Sequence, residues 1–96
     1  MIQGKTKTGF EFVLDETAVD DMFFIETLAE ADKGKYLAVA SVLTMLLGEE
    51  QKKKLYEHVK DEKGHARVDD VFRETQEILT KIGEATSKNS NTSQSV

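Results

Sequence analysis

The chain has 96 residues, a formal net charge of −5 at pH 7, and no cysteine, proline or tryptophan. This length fits one small domain, which we expect to span residues 1–84. The lack of cysteine excludes disulfides and zinc–thiolate sites and is typical of a reducing cytoplasm. The acidic balance argues against binding to nucleic acid, which requires clustered positive charge. The longest uncharged stretch, residues 36–48, is shorter than the about 20 residues that cross a bilayer.

Residues 1–14 are predicted to form a β-hairpin. Phe10, Phe12 and Leu14 occupy every second position, which is the pattern of a strand with one buried face. Residues 2–6 are the expected partner strand, and a turn at residues 7–9 joins the two because its glycine tolerates a positive φ. A lone hairpin is marginal in water, so we expect it to pack against helices.

Four helical segments are predicted after the hairpin, over about residues 17–33, 36–47, 49–60 and 69–82. The first carries a face expected to be buried, which includes Met22, Phe24 and Ile25, and Gly34 is placed to end it. The second is apolar nearly all round, as expected of the most buried helix. Gly48 separates it from the third.

These elements predict an α+β domain that is mainly α, in which the N-terminal β-hairpin packs on a bundle of about four helices. From Ala85 onward the residues are polar and offer nothing to bury. We therefore expect a disordered C-terminal tail over residues 85–96.

Charged clusters are the candidates for chemistry, and each has a structural explanation. His58 and His65, with Asp61 and Glu62 between them, match no metal-binding spacing. Three pairs of adjacent acids stand where helices are expected to begin and where carboxylates cap the helix. These pairs are Asp20-Asp21, Glu49-Glu50 and Asp69-Asp70. We predict no catalytic residue, no cofactor, no metal ligand and no enzymatic activity.

Three apolar side chains fall on helix faces that are otherwise polar. Phe23 shares its face of the first helix with two glutamates, and Leu37 and Met45 flank hydroxyl side chains on the second. Aromatic and methionine side chains at a surface are typical of partner interfaces. Phe23, Leu37 and Met45 are therefore our candidate partner-binding residues. The alternative is that Phe23 packs beneath the hairpin, or that the first helix is buried on all sides.

Several short motifs follow one another along residues 9–82. The most specific is the Leu-Leu-Gly-Glu-Glu-Gln segment, residues 46–51, followed by an acidic loop that contains Gly64. The others are Phe10-Glu11-Phe12, Asp20-Asp21-Met22, Leu28-Ala29-Glu30, Tyr56-Glu57-His58 and Arg67-Val68. In order and composition they resemble the tail assembly chaperones of long, non-contractile-tailed (siphovirus-type) phages and prophages of Gram-positive bacteria.

The resemblance implies a function without catalysis. Such chaperones bind the tape measure protein, keep it soluble and help to recruit tail tube subunits. They act in the cytoplasm of the bacterial host and are not retained in the mature virion. The resemblance thus implies the tape measure protein and the tail tube protein as partners, with self-association as a further expectation, and neither nucleic acid nor membrane.

A second interpretation remains open from the residues alone. A small acidic chain with an apolar second helix also fits a regulatory adaptor or an antitoxin-like protein that dimerises through that helix. A neighbouring gene for a very long tape measure protein favours the chaperone, whereas a neighbouring toxin gene favours the adaptor.

Overall fold

The computed structural model describes residues 1–89 and, for residues 86–89, the backbone alone. The chain is mainly helical and carries one two-stranded antiparallel hairpin at its N-terminus, which confirms the predicted class. The regular elements are β1 Ile2–Lys5, β2 Glu11–Leu14, a 3₁₀ turn Glu16–Val19, α1 Met22–Asp32, α2 Tyr36–Val59 and α3 Val68–Asn89. Among the described residues, no helix combines the length and apolar character that a bilayer crossing requires.

The hairpin has the predicted buried face. Phe10, Phe12 and Leu14 are buried, and Phe12 pairs across the ladder with Gly4. A Cβ placed on Gly4 would lie 2.6 Å from Cζ of Phe12, so the ring covers the glycine backbone. Gly9 has φ 98° in the turn. A side chain at residue 4 would therefore force the Phe12 ring to shift.

The prediction of four helices is wrong, because the described residues 1–89 form three. The predicted second and third helices form one element, α2, which is interrupted at Gly48 by a non-helical backbone with φ 81° and ψ 165°. Side chains bridge the interruption: the Lys52 ammonium donates to Thr44 Oγ1 at 2.8 Å and pairs with Glu49 at 3.2 Å. The glycine bends the element without ending it.

The first predicted segment, about 17–33, is divided in the structure. The Asp15 carboxylate accepts the N–H of Thr17 and opens the 3₁₀ turn, whereas the Asp21 carboxylate accepts the N–H of Phe23 and opens α1 at Met22. Two competing caps so close together explain the division. The predicted end is confirmed, since Gly34 follows the C-cap with φ 87°.

α3 extends beyond its predicted end at Ile82 and runs to Asn89. Gly83 has no positive φ and no proline follows it, so no residue there stops the helix. The first residues of the predicted disordered tail, from Ala85, are therefore helical. The rest of that tail, residues 90–96, lies outside the described residues.

One core joins the inner face of the hairpin to α2 and α3, and Val42 and Leu43 of α2 are fully buried within it. α1 contributes less than predicted, because Met22 and Ile25 are exposed while Phe24 is buried. The core residues are Phe10, Phe12, Leu14, Phe24, Ala31, Val39, Val42, Leu43, Leu46, Leu47, Leu55, Val71, Ile78 and Ile82.

Gln51 attaches the second half of α2 to the outer edge of β2. Its Oε1 accepts the N–H of Val13 at 2.9 Å, and its Nε2 donates to the carbonyl of Val13 at 2.7 Å. The same Nε2 donates to the carbonyl of Leu47 at 2.9 Å, just before the glycine. The carboxamide thus acts as a further peptide unit beside the strand.

We expect Gly48→Ala to lower the free energy of unfolding by about 1–3 kcal/mol, because the backbone region that Gly48 occupies is essentially restricted to glycine. No atom lies within 4 Å of a Cβ built at residue 48, so the loss is backbone strain rather than a clash. Chemical denaturation measures it. The control is Gly83→Ala, which we expect to raise the free energy of unfolding by about 0.5–1 kcal/mol, because alanine stabilises a helix relative to glycine. Equal stability of the two variants would contradict the account.

Candidate functional site

The corner between α1 and α2 is held by charged residues. The Glu30 carboxylate accepts hydrogen bonds from the ammonium groups of Lys35 and Lys33. These bonds, with that from Lys35 the larger cause, hold the pKa of Glu30 below its usual range. Gly34 supplies the reversal between the helices with its positive φ. The corner fixes the first turns of α2 beside α1.

An open groove of about 340 Å³ lies between the two helices. Phe23 enters it from α1 with 76% of its surface exposed, and Leu37 enters it from α2 with 87% exposed. The structure therefore rejects the alternative that Phe23 packs beneath the hairpin. Two of the three candidate residues, far apart in sequence, lie on one surface. We call the residues that line it the Phe23 groove: Phe23, Glu26, Thr27, Glu30, Leu37, Ala38 and Ser41.

The hydroxyl groups of the Phe23 groove are bonded to their own helices. Thr27 Oγ1 donates to the carbonyl of Phe23 at 2.8 Å, and Ser41 Oγ donates to the carbonyl of Leu37 at 3.4 Å. A hydroxyl whose proton is used in this way competes less for water or for a polar ligand. The hydroxyl protons of Thr27 and Ser41 are therefore already used inside the protein.

Met45, the third candidate, lies apart from the other two. It is half-buried against the core and lines a neighbouring groove that shares Ser41 with the Phe23 groove. Its thioether is thus positioned to extend a contact along α2, while part of its area already packs inside the protein.

Sequence reasoning missed a second apolar cleft, of about 310 Å³, on the other flank of α2. Tyr36 is 63% exposed at its mouth. The spacing of Tyr56 and Phe72 along their helices predicts burial, and no sequence pattern separates a side chain that faces a cleft from one that faces the core. The lining residues are Tyr36, Val39, Ala40, Tyr56, Ala66, Val68, Val71 and Phe72.

A polar network fixes the tip of the hairpin to α2 and α3. Thr8 Oγ1 donates to Glu74 Oε2 at 2.7 Å and lies 3.0 Å from His58 Nε2. Because the single hydroxyl proton of Thr8 is directed to Glu74, the imidazole nitrogen is the donor toward Thr8. In a nucleophilic site the imidazole accepts that proton instead. The network therefore has the geometry of a structural anchor.

Glu74 is the buried end of this network, with 2% of its surface exposed. Its Oε1 has no hydrogen-bond partner among the described residues. The neighbouring Glu77 Oε2 accepts the N–H of Lys7 at 2.8 Å, so two carboxylates of α3 hold the turn. No sequence pattern pointed to Glu74, because its position on α3 also fits an exposed face.

The acidic loop after α2 is organised by its own backbone. The Asp61 carboxylate accepts the N–H groups of His65 and Lys63 at 2.9 Å each. The bond from His65 is the largest cause of the lowered pKa of Asp61. Among the described residues, no three acidic or histidine side chains are grouped so that they could hold a metal ion.

No family model, no curated protein and no solved structure matches this chain. The residues of the Leu-Leu-Gly-Glu-Glu-Gln motif have evident structural roles: Leu46 and Leu47 are buried, Gly48 bends α2, and Gln51 binds β2. The geometry of the Phe23 groove is therefore the main basis for a functional argument.

We expect Thr8→Val to lower the free energy of unfolding by about 1–3 kcal/mol, because it leaves the buried Glu74 carboxylate without its donor. In a Glu74→Leu background the same substitution should have a much smaller effect, since no carboxylate is left unpaired. Denaturation of the four chains of this double-mutant cycle measures the coupling. Additive effects would show that Thr8 and Glu74 are not coupled.

Proposed function

We propose that this protein is a non-enzymatic chaperone that binds amphipathic helices of a long client protein. The observation that carries the proposal is the Phe23 groove, where Phe23 and Leu37 are 76% and 87% exposed side by side. In keeping with the resemblance described above, we propose that the client is the tape measure protein of a phage tail.

The position of the groove suits a helical client. It lies between two packed helices, and a third helix that enters such a groove buries apolar residues spaced at i, i+3, i+4 and i+7. Phe23 and Leu37 come from different helices, so a client helix contacts both at once. Burial contributes about 25 cal/mol for each Å² of apolar area removed from water.

A single contact of this size is weak, and a long client compensates for it. When many copies bind along one chain, each bound copy restricts the client and lowers the cost of the next contact by effective concentration. Weak individual contacts also permit release once assembly is complete. This behaviour suits a chaperone that coats its client and then dissociates.

The charge of the chain supports the same function. A net charge of −5 keeps a complex with exposed apolar surface soluble by mutual repulsion. At the groove, Glu30 is already paired with two lysines, so its charge does not oppose an apolar client. In the proposed setting, the complex forms in the bacterial cytoplasm, recruits tail tube subunits and leaves before the virion matures.

Co-expression with fragments of the tape measure protein encoded beside this chain tests the proposal. We expect Phe23→Asp and Leu37→Asp each to reduce the soluble, co-purifying client at least fivefold, because a carboxylate in the groove must be desolvated when the helix binds. The control is Met22→Asp, which changes an equally apolar residue of α1 that is 67% exposed and lies outside the groove.

Folding is checked in the same variants. Phe23 and Leu37 are exposed, so their substitution should change the free energy of unfolding by no more than about 0.5 kcal/mol. Full solubilisation of the client by both groove variants would overturn the proposal. Equal loss with Met22→Asp would also contradict it, since the effect would then not belong to the groove.

A further inference from the structure

The outer edge of β1 is open. Thr6 donates its N–H to the carbonyl of Phe10 at 2.9 Å, which marks residues 6 and 10 as a hydrogen-bonded pair. Such pairs alternate along an antiparallel ladder, so the backbone groups of Gln3 and Lys5 point away from β2. No hydrogen bond from any described residue reaches these outward groups.

The two edges of the hairpin differ in this respect. On β2 the outward N–H and carbonyl of Val13 are both bonded by Gln51. On β1 no side chain of the described residues bonds the outward N–H and carbonyl groups of Gln3 and Lys5 in this way. Unpaired backbone groups in a row are a template for pairing with another strand.

There is room beside this edge. A groove of about 820 Å³ lies between β1 and α3, with Gln3, Gly4 and Lys5 on one wall. The other wall carries Thr80, Lys81, Gly83, Glu84 and Ala85. Most of these α3 side chains are small, so a strand can approach the edge closely.

We propose that β1 pairs with β1 of a second copy of this chain, antiparallel about a two-fold axis beside Gly4. The N–H and carbonyl of Gln3 then bond to the carbonyl and N–H of Lys5 of the second copy, and the reverse pair forms by symmetry. The result is a four-stranded sheet, in the order β2-β1-β1-β2, that uses all four outward groups of each β1.

Self-complementarity favours a second copy over an unrelated strand. Gln3 and Lys5 are placed symmetrically about Gly4, as an isologous contact requires. The groove also carries one charge of each sign on α3, at Lys81 and Glu84, so two copies do not bring together surfaces of a single sign. This contact does not involve the Phe23 groove, so the failure of either proposal does not affect the other.

A pairing of three residues from each copy buries less than the about 1,200 Å² of a stable interface, so we expect a dimer that depends on concentration. Sedimentation equilibrium of the full chain should show the mass rising from one copy toward two as concentration increases. Lys5→Pro should stay at the mass of one copy, because it removes an outward N–H and leaves the hairpin ladder intact. Glu11→Pro is the matched control, since it removes an outward N–H of β2 and should still dimerise.

Disulfide trapping gives the register. The chain has no cysteine, and paired residues in the proposed ladder have Cα atoms about 5.5 Å apart, within the range of a disulfide. Gln3→Cys/Lys5→Cys should therefore oxidise to a covalent dimer, whereas each single variant, with equivalent residues about 7–8 Å apart, should not.

Several results would overturn the proposal. A wild-type chain that stays at the mass of one copy at every concentration excludes the pairing. If Lys5→Pro dimerises to the same extent as Glu11→Pro, the dimer forms through another surface. A Gln3→Cys/Lys5→Cys variant that forms no covalent dimer on oxidation, although the wild-type chain dimerises, excludes the proposed register.

Discussion

The fold depends on one backbone conformation in the middle of a helix. At Gly48 the chain adopts φ 81° and ψ 165°, which residues with a Cβ avoid. The bend lets one continuous element serve two parts of the molecule. Its first half packs with α1, and its second half presents Gln51 to β2 and Leu55 to the core.

The groove is a consequence of this arrangement. The first half of α2 buries Val42, Leu43 and Leu46 toward the core and carries α1 on one flank. The short α1 buries little more than Phe24 and Ala31, so its remaining apolar residues stay in solvent. The protein thus exposes apolar area that folding does not use. Such surface in a small domain is typical of a contact with another molecule.

Periodicity predicted most of the regular structure. The alternation of Phe10, Phe12 and Leu14 located β2, and the glycines at 34 and 48 marked the end of α1 and the bend in α2. The same reasoning was wrong about the number of helices, because it treats glycine as the end of a helix. Lys52 and Thr44 bridge the two halves, and that hydrogen bond between residues two turns apart is not visible in a pattern of apolar residues.

The candidate site was predicted only in part, for a physical reason. The position of Phe23 on a polar helix face follows from a period of 3.6 residues, but its proximity to Leu37 depends on the corner that Glu30 and the lysines fix. Glu74 and the Tyr36 cleft arise from packing between distant elements. Such contacts produce no repeating pattern of residues in a single sequence.

The central claim is that the Phe23 groove receives the client. The most direct measurement is the NMR titration of the isotope-labelled chain with a tape measure fragment, which reports each backbone amide separately. The account predicts that the largest shift changes fall on residues 22–30 and 37–41, on both walls of the groove. Changes confined to α3, or to the cleft around Tyr56 and Phe72, would contradict it.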